Sequence, residues 1–242
     1  MKNAKLNWVR LPIPSLENCR ELGGYSTNDG QQTKWHSFLR SSDMSKLNKE
    51  DINFLKAYGV KTIVDLRRDE ELELEPNPLS DMAEFDYYNL PFITQSIYDI
   101  TKYNDADSIY TMGDFYIELL KQKTAVKEIF QTISGAKDGC ILFHCRVGKD
   151  RTGVLAMLLL GLAGVEKKDI VANYEVSYSK LESLHDLEDN TSFHFIYSHR
   201  EYILQAYDHI IHNYGTFENY LHSAGISKKD IQKIRERLIQ FN

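Results

Sequence analysis

Residues 140–163 read CILFHCRVGKDRTGVLAMLLLGLA, an apolar run, a seven-residue polar stretch that begins at Cys145 and ends at Arg151, and a second apolar run. The first run suits a buried strand over Cys140–Phe143 and the second a helix over Thr152–Ala163, so that Cys145 to Arg151 form the turn between them. A buried strand that feeds directly into a helix is the unit from which parallel sheets are built, with functional groups at the C-terminal strand ends. The pattern therefore predicts an α/β fold with a central, mainly parallel sheet flanked by helices.

Such a turn is suited to hold an anion. Successive backbone N–H groups point inward and the helix N-terminus adds partial positive charge. Gly148 lets the backbone curl closely, and Val147, Thr152 and Gly153 complete the loop and first turn as candidate phosphate-contacting positions. Arg151 offers a planar fork for two oxygens at once, which a lysine does not. The same field, with Lys149 and the Thr152 hydroxyl, favours the thiolate of Cys145, and a thiolate is a nucleophile. The expected chemistry is in-line attack of sulfur on phosphorus, a cysteinyl-phosphate, and hydrolysis by water, with Arg151 and the loop amides stabilising the equatorial oxygens; no metal or other cofactor is called for. The plain alternative is a small buried thiol beside a helix-start cation. A cysteine with arginine six positions on, threonine next, two glycines and this strand and helix context argues against it.

HCRVGKDRTG resembles the signature of the cysteine-dependent phosphatases, in particular the bacterial tyrosine and lipid phosphatases. NCRELGGY at 18–25, FLRSSDMSKL at 38–47, VKTIVDLRRDEE at 60–71 and YGTFENYLHSAGIS at 214–227 are similar to further segments of that group, so the resemblance reaches both ends of the chain. It implies a protein-tyrosine-phosphatase-like fold and hydrolysis of phosphomonoesters, on phosphotyrosine, phosphoinositides or both. It also implies that His144 shapes the loop through a hydrogen bond to backbone and that Arg40, Asp65 and Arg67 buttress the loop by ion pairing; the alternative for Asp65 and Arg67 is that they simply cap a strand end.

In this group the leaving group is protonated by an aspartate, and relatives with Lys-Asp inside the loop point to Asp150. The helix dipole, Lys149 and Arg151 all favour its carboxylate and so oppose an acid role, while a bound phosphate dianion opposes them in turn. At the position after Leu-Pro-Phe where a relative has aspartate, this chain has Thr94, which leaves Asp99, Asp105 and Asp107 as the other candidates. Arg146 and Lys149 add two cations within one turn of Arg151. They suit either the extra phosphates of an inositol ring or, with Arg146 facing solvent, general attraction of phosphate esters. Two other functions remain: a phosphate-binding module without turnover, and a sulfurtransferase of the rhodanese type, against which Thr152 and Lys149-Asp150 speak.

At 242 residues and 42% hydrophobic, the chain suits one domain over 1–242, with a helical portion from about 165 onward that is a candidate lid or buttress. A formal charge of −6 excludes a general nucleic-acid surface and makes the cationic loop a local exception. With no apolar run of membrane-spanning length and no signal-peptide core over Met1–Pro14, the expectation is a cytoplasmic location, or secretion if an export signal precedes the sequence. The partners expected are a phosphorylated protein or phosphoinositide, with inorganic phosphate as product. Cys19, Cys140 and Cys145 form no disulfide framework, and the separation of five turns Cys140 and Cys145 to opposite faces.

Along the chain the five prolines mark loops. Leu47–Tyr58 carries helical periodicity and stops at Gly59 before the β-branched run Val60–Leu66, and Phe85–Leu90 alternates as another strand. Tyr110–Ile133 is predicted as one helix, followed after the cysteine helix by Lys167–Tyr178, Phe193–Asn213, Thr216–Ala224 and Lys228–Gln240. The histidines at 194, 199, 209, 212 and 222 fall in this half. His209 and His212 lack a third ligand partner and read as surface or packing groups. Tyr98, Tyr103 and Tyr110 are candidate pocket walls for an aryl phosphate, while Tyr87 and Tyr88 read as core or rim.

Overall fold

The computed structural model describes residue 7 and residues 9–93, 111–180 and 197–240. Thr94, Tyr98, Asp99, Tyr103, Asp105, Asp107, Tyr110, His194 and the start of the helix expected from Phe193 lie outside the described residues.

The central strand is the one that leads to the loop. β1 (Arg20–Glu21), β3 (Phe38–Ser41), β4 (Val60–Asp65), β5 (Asp86–Asn89) and β6 (Cys140–His144) form a sheet in the order β1-β3-β6-β4-β5. β3, β6, β4 and β5 run parallel, and β1 is antiparallel to β3 at the edge. A second, two-stranded antiparallel sheet pairs β2 (Gln32–Thr33) with β7 (Ile239–Gln240).

All five β6 residues are buried, and their side chains alternate between two cores. Ile141 and Phe143 face a large helical cluster, whereas Cys140 and Leu142 face a smaller one built from α1 (Lys49–Tyr58), the N-terminal segment and Leu79. Cys145 joins the helical cluster, opposite Cys140, as the odd separation requires. α1 is bounded as its sequence dictates. Asn48 and Asp51 form a capping box, and Gly59 ends the helix at φ 102°, a left-handed conformation that glycine adopts without steric cost.

α5 (Asp150–Leu162) runs from the loop through the helical cluster, with ten of its residues buried. Surrounded by α3 (Met112–Lys121), α6 (Lys167–Glu175), α7 (Arg200–Tyr214), α8 (Phe217–Ser223) and the sheet, it is apolar on all sides. Each leucine so buried contributes roughly 1.5–3 kcal/mol. This anchoring fixes the helix terminus on which the loop depends.

The region expected as one helix over 110–133 is two, α3 and α4 (Lys123–Gly135), broken at Gln122, whose ψ of 59° is not helical. The break lets α3 pack on α7 and α5 while α4 turns to meet α8 and α9 (Lys228–Leu238). α6 stops at Glu175, short of Tyr178, and α9 stops at Leu238, because Ile239 and Gln240 extend to pair with β2. A short helix, α2 (Asp69–Leu74), follows β4 beside the loop.

Candidate active site

The loop from Cys145 to Lys149 wraps around a buried thiol. Gly148 donates its N–H to Cys145 Sγ at 3.3 Å. Its φ is +71°, and a Cβ there would lie 2.4 Å from the carbonyl oxygen of Ser41, so both conformation and space demand glycine. The amides of Arg146, Val147, Lys149 and Arg151 donate to no protein acceptor among the described residues, and the buried Thr152 hydroxyl has no partner either. Lys149 is buried and Val147 and Arg151 are half-buried, and buried N–H groups are seldom left so. Clustered at a helix start, these donors can receive an oxyanion. Gly153 sits inside the first turn of α5 instead, where a Cβ would lie 3.1 Å from the Tyr174 ring. Its smallness serves helix packing rather than phosphate contact.

Arg151 is clamped from behind by Glu71 of α2. Nη1 donates to Glu71 Oε2 at 2.6 Å and to the Leu66 carbonyl at 3.3 Å, and Nη2 donates to Glu71 Oε1 at 2.7 Å. Of the five guanidinium N–H groups this leaves Nε–H and one Nη2–H, the edge that matches two oxygens of a phosphate. Burial pulls Arg151 down, but the Glu71 bonds and the charges of Cys145, Glu71 and Asp150 outweigh it and hold the guanidinium above its ordinary value. Glu71 is pushed up by burial and more strongly down by Arg151, so it stays ionised. It also caps α2 by accepting the Arg68 N–H at 2.9 Å.

Lys149 does not face outward. It is fully buried, and its Nζ lies 2.6 Å from Asp150 Oδ1. The same oxygen accepts the Tyr116 hydroxyl at 2.5 Å, and Tyr116 in turn meets the Tyr174 hydroxyl at 2.6 Å. Burial, then the charge of Asp150, raises the Tyr116 phenol well above its ordinary value, so it remains a donor. Both donors fall on Oδ1, and Oδ2 has no partner among the described residues. Arg146 does face outward. Its side chain is 60% exposed, with Nε 3.8 Å from Glu75. It lines, with Val147, Lys46, Glu17, Asp43 and Glu75, a cavity of about 630 Å³.

His144, Asp65 and Arg67 lie beneath the loop. His144 donates from Nδ1 to the Cys145 carbonyl at 3.1 Å, while Nε2 is 3.2 Å from Asp65 Oδ2 and 3.1 Å from Asn77 Nδ2. Arg67 grips Asp65 through Nε (3.0 Å) and Nη2 (2.7 Å) and reaches Asp43 and the Glu75 carbonyl through Nη1. Burial pushes the Asp65 carboxyl up, yet its contacts with His144 and Arg67 outweigh this and hold it well below the usual carboxylate range. Asp43 donates its backbone N–H to the Arg146 carbonyl at 2.9 Å, so the network reaches the loop from both ends.

Glu71, Tyr116, Tyr174 and Asn77 carry no sequence signal that ties them to the loop. Glu71 alone sits inside a segment already associated with the site, as the helix-capping acid three residues beyond Arg68.

A strand, an amide-lined turn around a thiol and a clamped arginine at a helix start are together suited to hold a phosphate ester. The sequence profile of the tyrosine phosphatase family matches residues 11–240, and the chain belongs to that family. It is 34% identical over 222 residues to a tyrosine-protein phosphatase of Nostoc commune, covering 84% of this chain and 74% of that protein. It is 25% identical to the triple specificity protein phosphatase PtpB of Mycobacterium tuberculosis, covering 94% of this chain and 98% of that protein. The structure of P. aeruginosa TpbA aligns over 93% of this chain and 99% of its own at 15% identity and a TM-score of 0.45. The protein is thus a phosphatase by family, which sets aside the sulfurtransferase alternative. Among the described residues, no helix is long and apolar enough to cross a membrane.

Proposed function

We propose that the protein hydrolyses phosphotyrosine through a cysteinyl-phosphate on Cys145. Sγ attacks phosphorus in line as the bond to the leaving oxygen breaks, and Asp150 Oδ2 supplies the proton that oxygen needs. Water then attacks phosphorus, the S–P bond breaks, and Asp150 takes the proton back as phosphate leaves. Arg151 holds two equatorial oxygens through its Nε and Nη2 edge, and the amides of residues 146–151 and the Thr152 hydroxyl receive the rest. His144, Asp65 and Arg67 keep the loop in shape. The observation that carries the reading is the Glu71-clamped Arg151, whose free edge lies beside unpaired loop amides around a buried thiol.

The peptide reading is favoured over phosphoinositides by the loop's cations. Lys149 is committed to Asp150, and the cavity that Arg146 faces carries two cations, Lys46 and Arg146, against three carboxylates, Glu17, Asp43 and Glu75, a net charge of −1. A polyanionic headgroup gains little there. A phosphate-release assay with a chelator present tests both points, using a phosphotyrosine peptide, an aryl phosphate and phosphoinositide vesicles, with Cys145→Ser as the control. Release from the peptide that is lost in Cys145→Ser is expected. A Cys145→Ser rate near that of the parent would overturn the mechanism, and faster release from phosphoinositides than from the peptide would overturn the substrate.

A further inference from the structure

Two guanidinium groups lie buried behind the loop with no carboxylate partner among the described residues, those of Arg20 (5% exposed) and Arg40 (fully buried). A buried, unpaired charge is costly, and a fold retains one where something else compensates. Arg40 donates from Nη1 to Asn173 Oδ1 at 2.6 Å and from Nη2 to the Gly148 carbonyl at 2.8 Å. Arg20 donates from Nη2 to the Asn173 carbonyl at 2.6 Å and to Ser177 Oγ at 2.9 Å, and from Nη1 to Asn18. Asn18 completes the set by donating from Nδ2 to the Gly148 carbonyl at 2.9 Å. All these partners are neutral, and the Nε of each arginine is itself buried without a partner. Burial pulls Arg40 down to about 10, and Gly148, whose carbonyl it holds, gives its own N–H to Cys145 Sγ at 3.3 Å, so a single residue joins this cation to the thiol.

The Gly148 carbonyl is the point where this network meets the loop. In a trans peptide the C=O and the following N–H point in opposite directions. With its oxygen held from behind by Arg40 and Asn18, the Gly148–Lys149 peptide turns the Lys149 N–H the other way, and that amide is among those without a protein acceptor.

We propose that Arg40, seconded by Asn18 and Arg20, is a positioning residue for the phosphate loop: it fixes the Gly148–Lys149 peptide with its N–H toward the bound phosphoryl group, and that dianion is the counter-charge for the buried Arg40 cation. The inference rests on the loop being the phosphate site. It separates two effects of one side chain, the aim of an amide, which needs the guanidinium fork, and the field, which needs only the charge.

The test measures phosphate affinity, kcat and KM for an aryl phosphate in the full chain and in Arg40→Met, Arg40→Lys and Asn18→Gly, with folding checked by circular dichroism and thermal melting. Glycine accepts the positive φ of Asn18 (59°), so Asn18→Gly removes the donor without straining the backbone. Phosphate Kd is read at about pH 6 and about pH 8, on either side of the second ionisation of a phosphate. Arg40→Met is expected to weaken phosphate by about tenfold or more, with the larger loss at the higher pH; Arg40→Lys by about threefold, rescued in part by its charge; and Asn18→Gly by about threefold at both pH values. Folded Arg40→Met with the parent's phosphate affinity overturns the proposal, and equal losses in Met and Lys at both pH values overturn the field. If Arg40→Met does not fold, Asn18→Gly decides alone, and parent-like Kd and kcat/KM refute the positioning. A parent protein that neither binds phosphate nor turns over refutes the phosphatase site itself, which is a distinct outcome.

Discussion

Replacing Glu71 with glutamine preserves its size and its contact with the Arg68 N–H, since Gln caps a helix as Glu does. The clamp on Arg151 does not survive the change. Two bonds between ionised groups, at 2.6 and 2.7 Å between side chains about one-eighth exposed, become one bond from the cation to a neutral amide oxygen and an amide NH₂ facing an N–H. Bonds to charged groups contribute about 1.5–3 kcal/mol each, so the loss in holding the guanidinium is roughly 2 kcal/mol. An arginine that must be reordered in the transition state passes that loss to catalysis, and at 1.36 kcal/mol per tenfold this is about a 30-fold fall in kcat/KM. The assay is steady-state hydrolysis of an aryl phosphate by Glu71→Gln, alongside a melt showing a drop of no more than about 8 °C. A kcat/KM within about twofold of the parent would refute the reasoning, because it would mean that Leu66 and the bound phosphate orient Arg151 unaided.

Three further changes probe other parts of the structure. Glu21 is buried and accepts bonds from Tyr58 Oη and the His36 and Gly23 amides, and among the described residues no cation is bonded to it; burial pushes its carboxyl up to about 7. A folded-state value above the unfolded one adds stability that is fully present below about pH 4.5 and is lost as pH rises toward 7, roughly 3 kcal/mol at most. Urea titrations should therefore show the parent losing stability over that window relative to Glu21→Gln, and parallel curves would count against it. Tyr116→Phe removes one of the two donors on Asp150 Oδ1 and should slow phosphate esters of poor leaving groups by about tenfold while sparing activated ones, steepening the leaving-group dependence; equal losses on both would show a packing defect. Gly148→Ala forces a Cβ to 2.4 Å from the Ser41 carbonyl at φ +71° and should abolish phosphate binding, with a stability loss of about 2 kcal/mol or more read by the same titration.

The loop was legible because its chemistry is local. Cys145, Gly148, Arg151 and the strand and helix around them lie within one short stretch, and the side-chain alternation of β6 follows from its period of two. Gly59 marked the end of α1 for the same reason. What sequence could not show is direction and distance. Lys149 and Arg146 look equivalent as loop cations, yet Lys149 turns inward to Asp150 while Arg146 stays at the surface. Glu71, Tyr116, Asn173 and Arg20 come from other elements, and only the packing of α2, α3, α6 and the edge strand β1 around the loop brings them to it. Strands of two to four residues such as β1, β2, β3 and β7 are too short to display a period, and the break at Gln122 separates two helices whose apolar patterns run together along the chain.

The claim on which everything else depends is that Cys145 carries the phosphoryl group. Rapid acid quenching of the protein turning over an aryl phosphate, followed by peptide mass spectrometry, tests it directly. The account predicts one added phosphoryl group on the peptide containing Cys145, increased in Asp150→Asn if hydrolysis of the intermediate slows, and absent in Cys145→Ser. Turnover at the parent rate with no phosphoryl group on Cys145, or with the group on another residue, would contradict it.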